Sequence, residues 1–186
     1  MDLIKIAKLY KEILKEIGED PEREGLKETP ERIAKSFEKI FGGYGKKTSE
    51  AITQFDGENY DEMIICNDID FFSTCEHHMQ PFFGKISIGY IPNKKIIGLS
   101  KLPRIVEIFS RRLQNQERLT MQIANTLNEV LKPKGVAVVV KAKHLCMMAR
   151  GVEKQNASMI TSSCTGLFKK NAKTRSEFLR LIKENQ

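Results

Sequence analysis

The sequence predicts a mixed fold of helices and strands with antiparallel pairing and a metal site at one end of the sheet. Three observations lead there. Apolar residues recur at helical spacing over residues 2–18 and again after Thr29. They alternate over residues 82–91 and 136–146, as on half-buried strands. And every histidine of the chain lies within three residues of a cysteine, in Cys75-Glu76-His77-His78 and in His144-Leu145-Cys146.

Residues 2–18 place Leu3, Ile6, Ala7, Tyr10, Ile13, Leu14 and Ile17 on one helical stripe, with Gly18 as the stop. The stretch to Thr29 holds Pro21, Gly25 and many charges and reads as an exposed connection. Thr29 is expected to cap a second helix with Pro30 in its first position, where a missing N–H costs nothing; Ile33, Phe37, Ile40 and Phe41 form its buried stripe before Gly42-Gly43. Residues 1–45 thus form a helical N-terminal region and 46–186 the remainder.

After a loop around 45–59, residues 63–74 and 82–91 are rich in β-branched and aromatic side chains and pair as antiparallel neighbours. In the second of these strands Ile86, Ile88 and Tyr90 share one face and Lys85, Ser87 and Gly89 the other. The first metal cluster then occupies the strand-to-strand connection from Cys75 to Pro81. Helices follow near 101–112 and 116–132, the second ended by Pro133 and Gly135. A strand over 136–146 places Val136, Val138, Val140, Ala142, His144 and Cys146 on one side. On this reading His144 and Cys146 point the same way. A strand near 158–168 and a helix near 174–183 complete the order.

The chain has 186 residues, close to one domain and long enough to bury a core without staples. No run of about 18 apolar residues suggests a membrane span, and no signal-like stretch opens the chain, so a cytoplasmic protein is expected. The net charge of +7 favours an anionic ligand. No block of consecutive basic residues appears, so a local phosphate pocket is favoured over a nucleic-acid stripe.

Thiolate and imidazole are the side chains zinc prefers, and Cys-x-x-His lets one tight loop present both. If Cys75, His78 and Cys146 are the ligands, His77 and His144 stand beside the ion as acid–base groups and the fourth tetrahedral position stays open, which suits catalysis. A lone cysteine is more often core than ligand, but the joint arrangement reverses that expectation. A closed structural site using His77 or His144 as fourth ligand is the alternative. Cys66 and Cys164 sit in strand-like runs as reduced thiols.

Five stretches carry a family resemblance: Thr29-Pro30-Glu31-Arg32-Ile33-Ala34-Lys35, Ser73-Thr74-Cys75-Glu76-His77-His78, Gly98-Leu99-Ser100-Lys101, Gln116-Glu117-Arg118-Leu119-Thr120, and His144-Leu145-Cys146-Met147 with Ala149-Arg150-Gly151. With them the chain resembles the GTP cyclohydrolase I family over most of its length. The resemblance implies an α+β tunnelling fold, with an antiparallel sheet, helices on one face and an N-terminal helical hairpin. It implies hydrolytic opening of the guanine imidazole ring of GTP at carbon 8, loss of formate and reclosure to 7,8-dihydroneopterin triphosphate.

The same resemblance implies zinc on Cys75, His78 and Cys146, with His144 as general acid and His77 as a second catalytic histidine. Ser100, Lys101, Arg104 and Arg150 match residues that bind the triphosphate, and Arg32 with Lys35 match residues that reach in from a neighbouring subunit. Glu117 matches the acceptor of the guanine amino and ring N–H groups, with Gln116 beside it. Assembly is expected as a homodecamer of two face-to-face pentamers, with no nucleic-acid or membrane partner. Because the chain starts close to its first helix, regulation through a long N-terminal extension is not expected. Two other readings are a non-catalytic zinc protein on nucleic acid and a tunnelling-fold enzyme acting on a related pterin or deazapurine.

Overall fold

A computed structural model of the chain describes residues 1–183. Its contacts divide the chain into two compact units, Met1–Gly42 and the remainder from Gly43.

The first unit is a helical hairpin. Helix α1 spans Leu3–Glu16, where Asp2 accepts the Lys5 N–H at 2.9 Å, and the chain turns away at Gly18 with φ of +88°. Helix α2 spans Thr29–Ile40. Tyr10 packs edge-on against Phe37 with ring centroids 5.8 Å apart, and Phe37 does the same to Phe41 at 4.8 Å. The expected cap is displaced by one residue: Glu28 is the N-cap, and the Thr29 hydroxyl donates back to the Gly25 carbonyl at 3.4 Å. Thr29 is therefore already helical, and Pro30 follows it in the first turn.

The second unit begins with α3 (Thr48–Ala51), β1 (Gln54–Asp56), β2 (Ile64–Cys75), β3 (Pro81–Ile91) and β4 (Lys95–Ile97). It continues through α4 (Lys101–Ser110), β5 (Leu113–Gln114), α5 (Gln116–Leu131), β6 (Gly135–His144) and α6 (Leu145–Met148). It ends with β7 (Met159–Cys164), α7 (Gly166–Lys170) and α8 (Ala172–Lys183). Strands β1 and β4 make a small antiparallel ribbon. The main sheet has the order β5-β2-β3-β6-β7.

The long pairs are antiparallel, as expected, running from Ile64↔Tyr90 to Thr74↔Pro81 and from Phe82↔His144 to Ile91↔Gly135. A bulge between Cys66 and Ile69 places Asp68 at φ of +54°. One short pair departs from the expected pattern: β5 lies parallel to the end of β2, with Thr74↔Leu113 and Cys75↔Gln114. Two residues without alternation carry no strand signal, and this pairing is imposed by the turn between α4 and α5.

The main core lies between the sheet and the helices α4 and α5. Ile86, Ile88, Tyr90, Val136, Val138 and Val140, expected from strand alternation, meet Leu102 and Ile105 of α4 and Leu119, Ile123 and Leu127 of α5, and all are buried. Each such side chain removed from water contributes about 1.5–3 kcal/mol. The expectation of helices on one face only is corrected. Phe168 of α7 and Phe178 and Ile182 of α8 form a second buried cluster with Ile91 and Ala137. Gly89 makes the seat, because a Cβ there would stand 2.7 Å from the Phe178 ring. Small residues on that strand face admit an aromatic ring from a helix that alternation alone would have left in solvent.

Candidate metal centre

Strand β2 ends at Cys75, and the chain returns to β3 through a turn closed by the Met79 N–H to the Cys75 carbonyl and by the Cys75 N–H to the Gln80 carbonyl, both at 2.8 Å. Met79 takes φ of +52° to complete it. This turn carries Glu76, His77 and His78. The Cys75 Sγ lies 3.6 Å from His78 Nδ1. The ligand atoms of Cys75, His78 and Cys146 all lie within 4.8 Å of one another. Cys75 is buried, Cys146 half-buried and His78 exposed, so the triangle opens outward.

The second arm of the site departs from the strand expected over 136–146. Strand β6 stops at His144, and Cys146 lies on the helical turn α6. The strand-parity argument for His144 and Cys146 therefore fails. Cys146 reaches the cluster because the chain coils immediately after the strand, a change of direction that alternation up to Ala142 cannot announce.

The donor set fits a metal ion. A tetrahedral ion about 2.3 Å from sulfur and about 2.0 Å from nitrogen spans a sulfur–nitrogen edge of about 3.5 Å, close to the Cys75–His78 separation. Burial pushes the Cys146 thiol up, and the neighbouring Cys75 thiol adds to the effect, while Arg150 opposes it. A divalent cation at this position would offset that effect by favouring the thiolate form of its sulfur ligands. Burial also raises Cys66 and Cys164, and neither belongs to a group of three or more candidate ligands among the described residues. These are the inert thiols of the chain.

His144 is held from two sides. Its ring stacks on Phe82 with centroids 4.6 Å apart and planes 4° from parallel. Its Nε2 lies 2.8 Å from Gln116 Oε1. The Gln116 amide nitrogen donates to the Val140 carbonyl at 3.1 Å, the Met159 carbonyl at 3.1 Å and the Thr161 hydroxyl at 3.2 Å, which leaves the amide oxygen for His144. An amide oxygen only accepts, so His144 carries its proton on Nε2 and presents Nδ1 as the free ring nitrogen. Burial lowers the His144 pKa, and Glu117 acts in the opposite direction.

Gln116 is 1% exposed, and its side chain supports His144 from within the fold. Replacing Gln116 by Leu leaves the Val140 and Met159 carbonyls without that donor. A loss of about 1–3 kcal/mol in urea unfolding is expected, and no loss would contradict this role.

The remaining expected residues are distributed. Glu117 is exposed in the first turn of α5, and Arg150 follows α6 within electrostatic range of Cys146. Ser100, Lys101 and Arg104 stand at the N-terminus of α4, where the Lys101 and Leu102 N–H groups already donate to the Gly98 and Leu99 carbonyls and Pro103 has none, so any anion there would be met by side chains. His77 is exposed, its Nε2 3.7 Å from Glu76. Arg32 and Lys35 lie on α2 in the other unit, with Arg32 paired to Glu28 at 2.6 Å.

Sequence reasoning passed over Glu76, Phe82, Asn115 and Arg118. Arg118 binds Glu76 through both guanidinium ends, at 2.5 and 2.8 Å, and holds its carboxyl below the usual range. Asn115 caps α5 by accepting the Arg118 N–H at 2.8 Å and also donates to Glu76 at 3.1 Å. The one available signal was Asn before a helical run, a common N-cap.

Two thiols and an imidazole gathered at the end of β2 in an α+β fold, with a second, oriented imidazole two residues before the third ligand, define the class of metal-assisted acid–base enzymes. A model of the GTP cyclohydrolase I family matches residues 6–183, and the chain belongs to that family. It is 56% identical over 176 residues to GTP cyclohydrolase 1 of Leptospira biflexa, covering 94% of this chain and 96% of the relative. To the Parabacteroides distasonis protein of the same name it is 54% identical over 183 residues, covering 97% and 93%. To GTP cyclohydrolase 1 of Homo sapiens it is 52% identical over 185 residues, covering 98% and 74%. A solved archaeosine synthase QueF-Like in the apo form aligns with a TM-score of 0.45 and 16% identity over 56% of this chain and 93% of that one, too distant to argue from.

Proposed function

We infer that this chain is a GTP cyclohydrolase I: it opens the guanine imidazole ring of GTP at carbon 8, releases formate and recloses the product as 7,8-dihydroneopterin triphosphate. The single observation that carries the reading is the Cys75–His78–Cys146 triangle beside an oriented His144 in a member of that family. Zinc is the ion that two thiolates and one imidazole suit best, and Cys75, His78 and Cys146 would hold it. Bound there, the ion supplies Lewis acidity and makes water a usable nucleophile at neutral pH.

The chain's own groups do the rest. His144, fixed through Nε2 by Gln116, has Nδ1 left to exchange a proton with the ring nitrogen of the base. Phe82 covers one face of the imidazole and keeps water from it. His77 is the second proton carrier, for ring opening and the sugar rearrangement. The Glu117 carboxylate accepts the guanine amino and ring N–H groups, a pair that a single carboxylate matches. The side chains of Ser100, Lys101 and Arg104 at the start of α4, together with Arg150, take the triphosphate.

Arg32 and Lys35 complete the phosphate site from a neighbouring subunit of a homodecamer built as two pentamers. Strand β7 supports such assembly, since it pairs only with β6 among the described residues and offers a sheet edge. No helix among the described residues is long and apolar enough to cross a membrane, and we place the enzyme in the cytoplasm.

Incubation with GTP tests the reading directly. Formate release with a product that becomes fluorescent on oxidation is expected, and its absence from zinc-loaded protein would overturn the assignment. Glu117→Ala is expected to keep its metal and lose GTP turnover. Unchanged kinetics in that variant would remove the base-recognition role.

A further inference from the structure

Four consecutive residues at the start of α5 serve three parts of the site. Glu117 is the proposed base acceptor and Gln116 holds His144. Asn115 and Arg118 both bind Glu76, the residue between Cys75 and His77. The backbone adds to this, because the Glu76 N–H donates to the Gln114 carbonyl at 2.9 Å. One segment, 114–118, therefore ties down the turn that carries two of the three candidate ligands.

The state of His78 makes this attachment consequential. A metal-binding histidine ordinarily donates its second ring N–H to a carboxylate, carbonyl or water, and that bond fixes the ring. Among the described residues His78 has a hydrogen-bond contact with Cys75 alone and packs edge-on near His77. No second hydrogen bond from a described residue holds its ring. The placement of His78 must then come from the turn itself, and the side-chain anchor of that turn is Glu76. An exposed Arg–Glu pair is ordinarily worth little. This one is bidentate, carries a third hydrogen bond from Asn115 and has the Glu76 side chain only 25% exposed.

We propose that Arg118, acting through Glu76, is a positioning residue for the metal centre: it holds the 75–80 turn so that Cys75 and His78 already face Cys146 before the ion arrives. The proposal rests on the metal reading given above. It also makes the first turn of α5 the common support of the ion, the acid–base histidine and the base-recognising carboxylate. A disturbance at Arg118 then reaches the metal without any contact between Arg118 and a ligand.

The test is zinc affinity, measured by competition with a chromophoric chelator, for the full-length protein and for Arg118→Met, Arg118→Lys, Glu76→Gln and the Arg118→Met/Glu76→Gln pair. Melting of the metal-free forms by circular dichroism reports folding separately. Arg118→Met is expected to bind zinc about 10–100-fold more weakly, as for other groups that orient metal ligands. The double variant should be no weaker than the weaker single one, since both changes break one clamp. Affinity of Arg118→Met within about twofold of the unsubstituted protein, or losses that multiply in the pair, would overturn the proposal.

If Arg118→Met fails to fold, Arg118→Lys decides the matter. It keeps the charge and loses the fork, so a several-fold loss supports the proposal and equal affinity overturns it. If the unsubstituted protein binds no zinc, the metal reading itself falls and the positioning role with it.

Discussion

Cys146→Ala is expected to purify without bound metal and to release formate from GTP more than about 100-fold more slowly than the unsubstituted protein, because it removes a ligand and not merely a supporting group. Cys146 sits half-buried on the short turn α6, outside the sheet, so the substitution leaves the strands and both helical layers intact. Circular dichroism spectra of the metal-free forms should therefore coincide, with only a small fall in melting temperature because Cys146 packs at the margin of the main core. Metal content measured on the purified proteins separates this from general damage: about one ion per chain before substitution and none after. Cys164→Ala provides the control, since that thiol lies on β7 and belongs to no ligand cluster among the described residues. A chelator should silence the unsubstituted enzyme and added zinc should restore it. Full turnover by metal-free Cys146→Ala would end the metal-assisted reading.

His144→Ala should give the complementary result, with metal retained and kcat lower by about 10²–10⁴, the usual contribution of a positioned general acid or base. His144 lies outside the ligand triangle, so zinc content should not change. Its surroundings would survive as well, because Phe82 is fully buried in the core and Gln116 keeps three other hydrogen bonds. KM should move less than kcat, since a proton-transferring group acts mainly in the transition state. Loss of zinc together with activity would recast His144 as a ligand and restore the closed-site alternative. A kcat reduced by less than about tenfold would remove His144 from the proton-transfer role.

Much of this arrangement was legible in the residues. The amphipathic stripes of α1 and α2, the alternation of β3 and β6 and the stop signals at Gly18 and Pro133 reflect local periodicity, which survives into three dimensions wherever one face is buried. The pairing of His with Cys in two short stretches marked the cluster Cys75, His78 and Cys146 because few side chains bind soft cations and their clustering is rare by accident. Errors fell where a local rule met a tertiary constraint. Strand β6 ended two residues early, so Cys146 came to the site by a turn and not by parity. The resemblance named Gln116 beside Glu117 without saying where its side chain goes, and burial directs that amide onto His144.

The sequence by itself determined which side chains could bind an ion, which stretches would coil or extend, and that the chain resembles the GTP cyclohydrolase I family. Those properties reside in residue type and short-range spacing, and they need no knowledge of distant neighbours. Only the tertiary structure decided that Glu76 is clamped by Arg118, that Gln116 chooses the proton position on His144, and that Phe178 covers the second face of the sheet over Gly89. Each of these joins residues tens of positions apart through hydrogen-bond geometry or steric fit. Chain periodicity fixes which way a side chain faces along its own element, whereas its partner is fixed only when another element is packed against it.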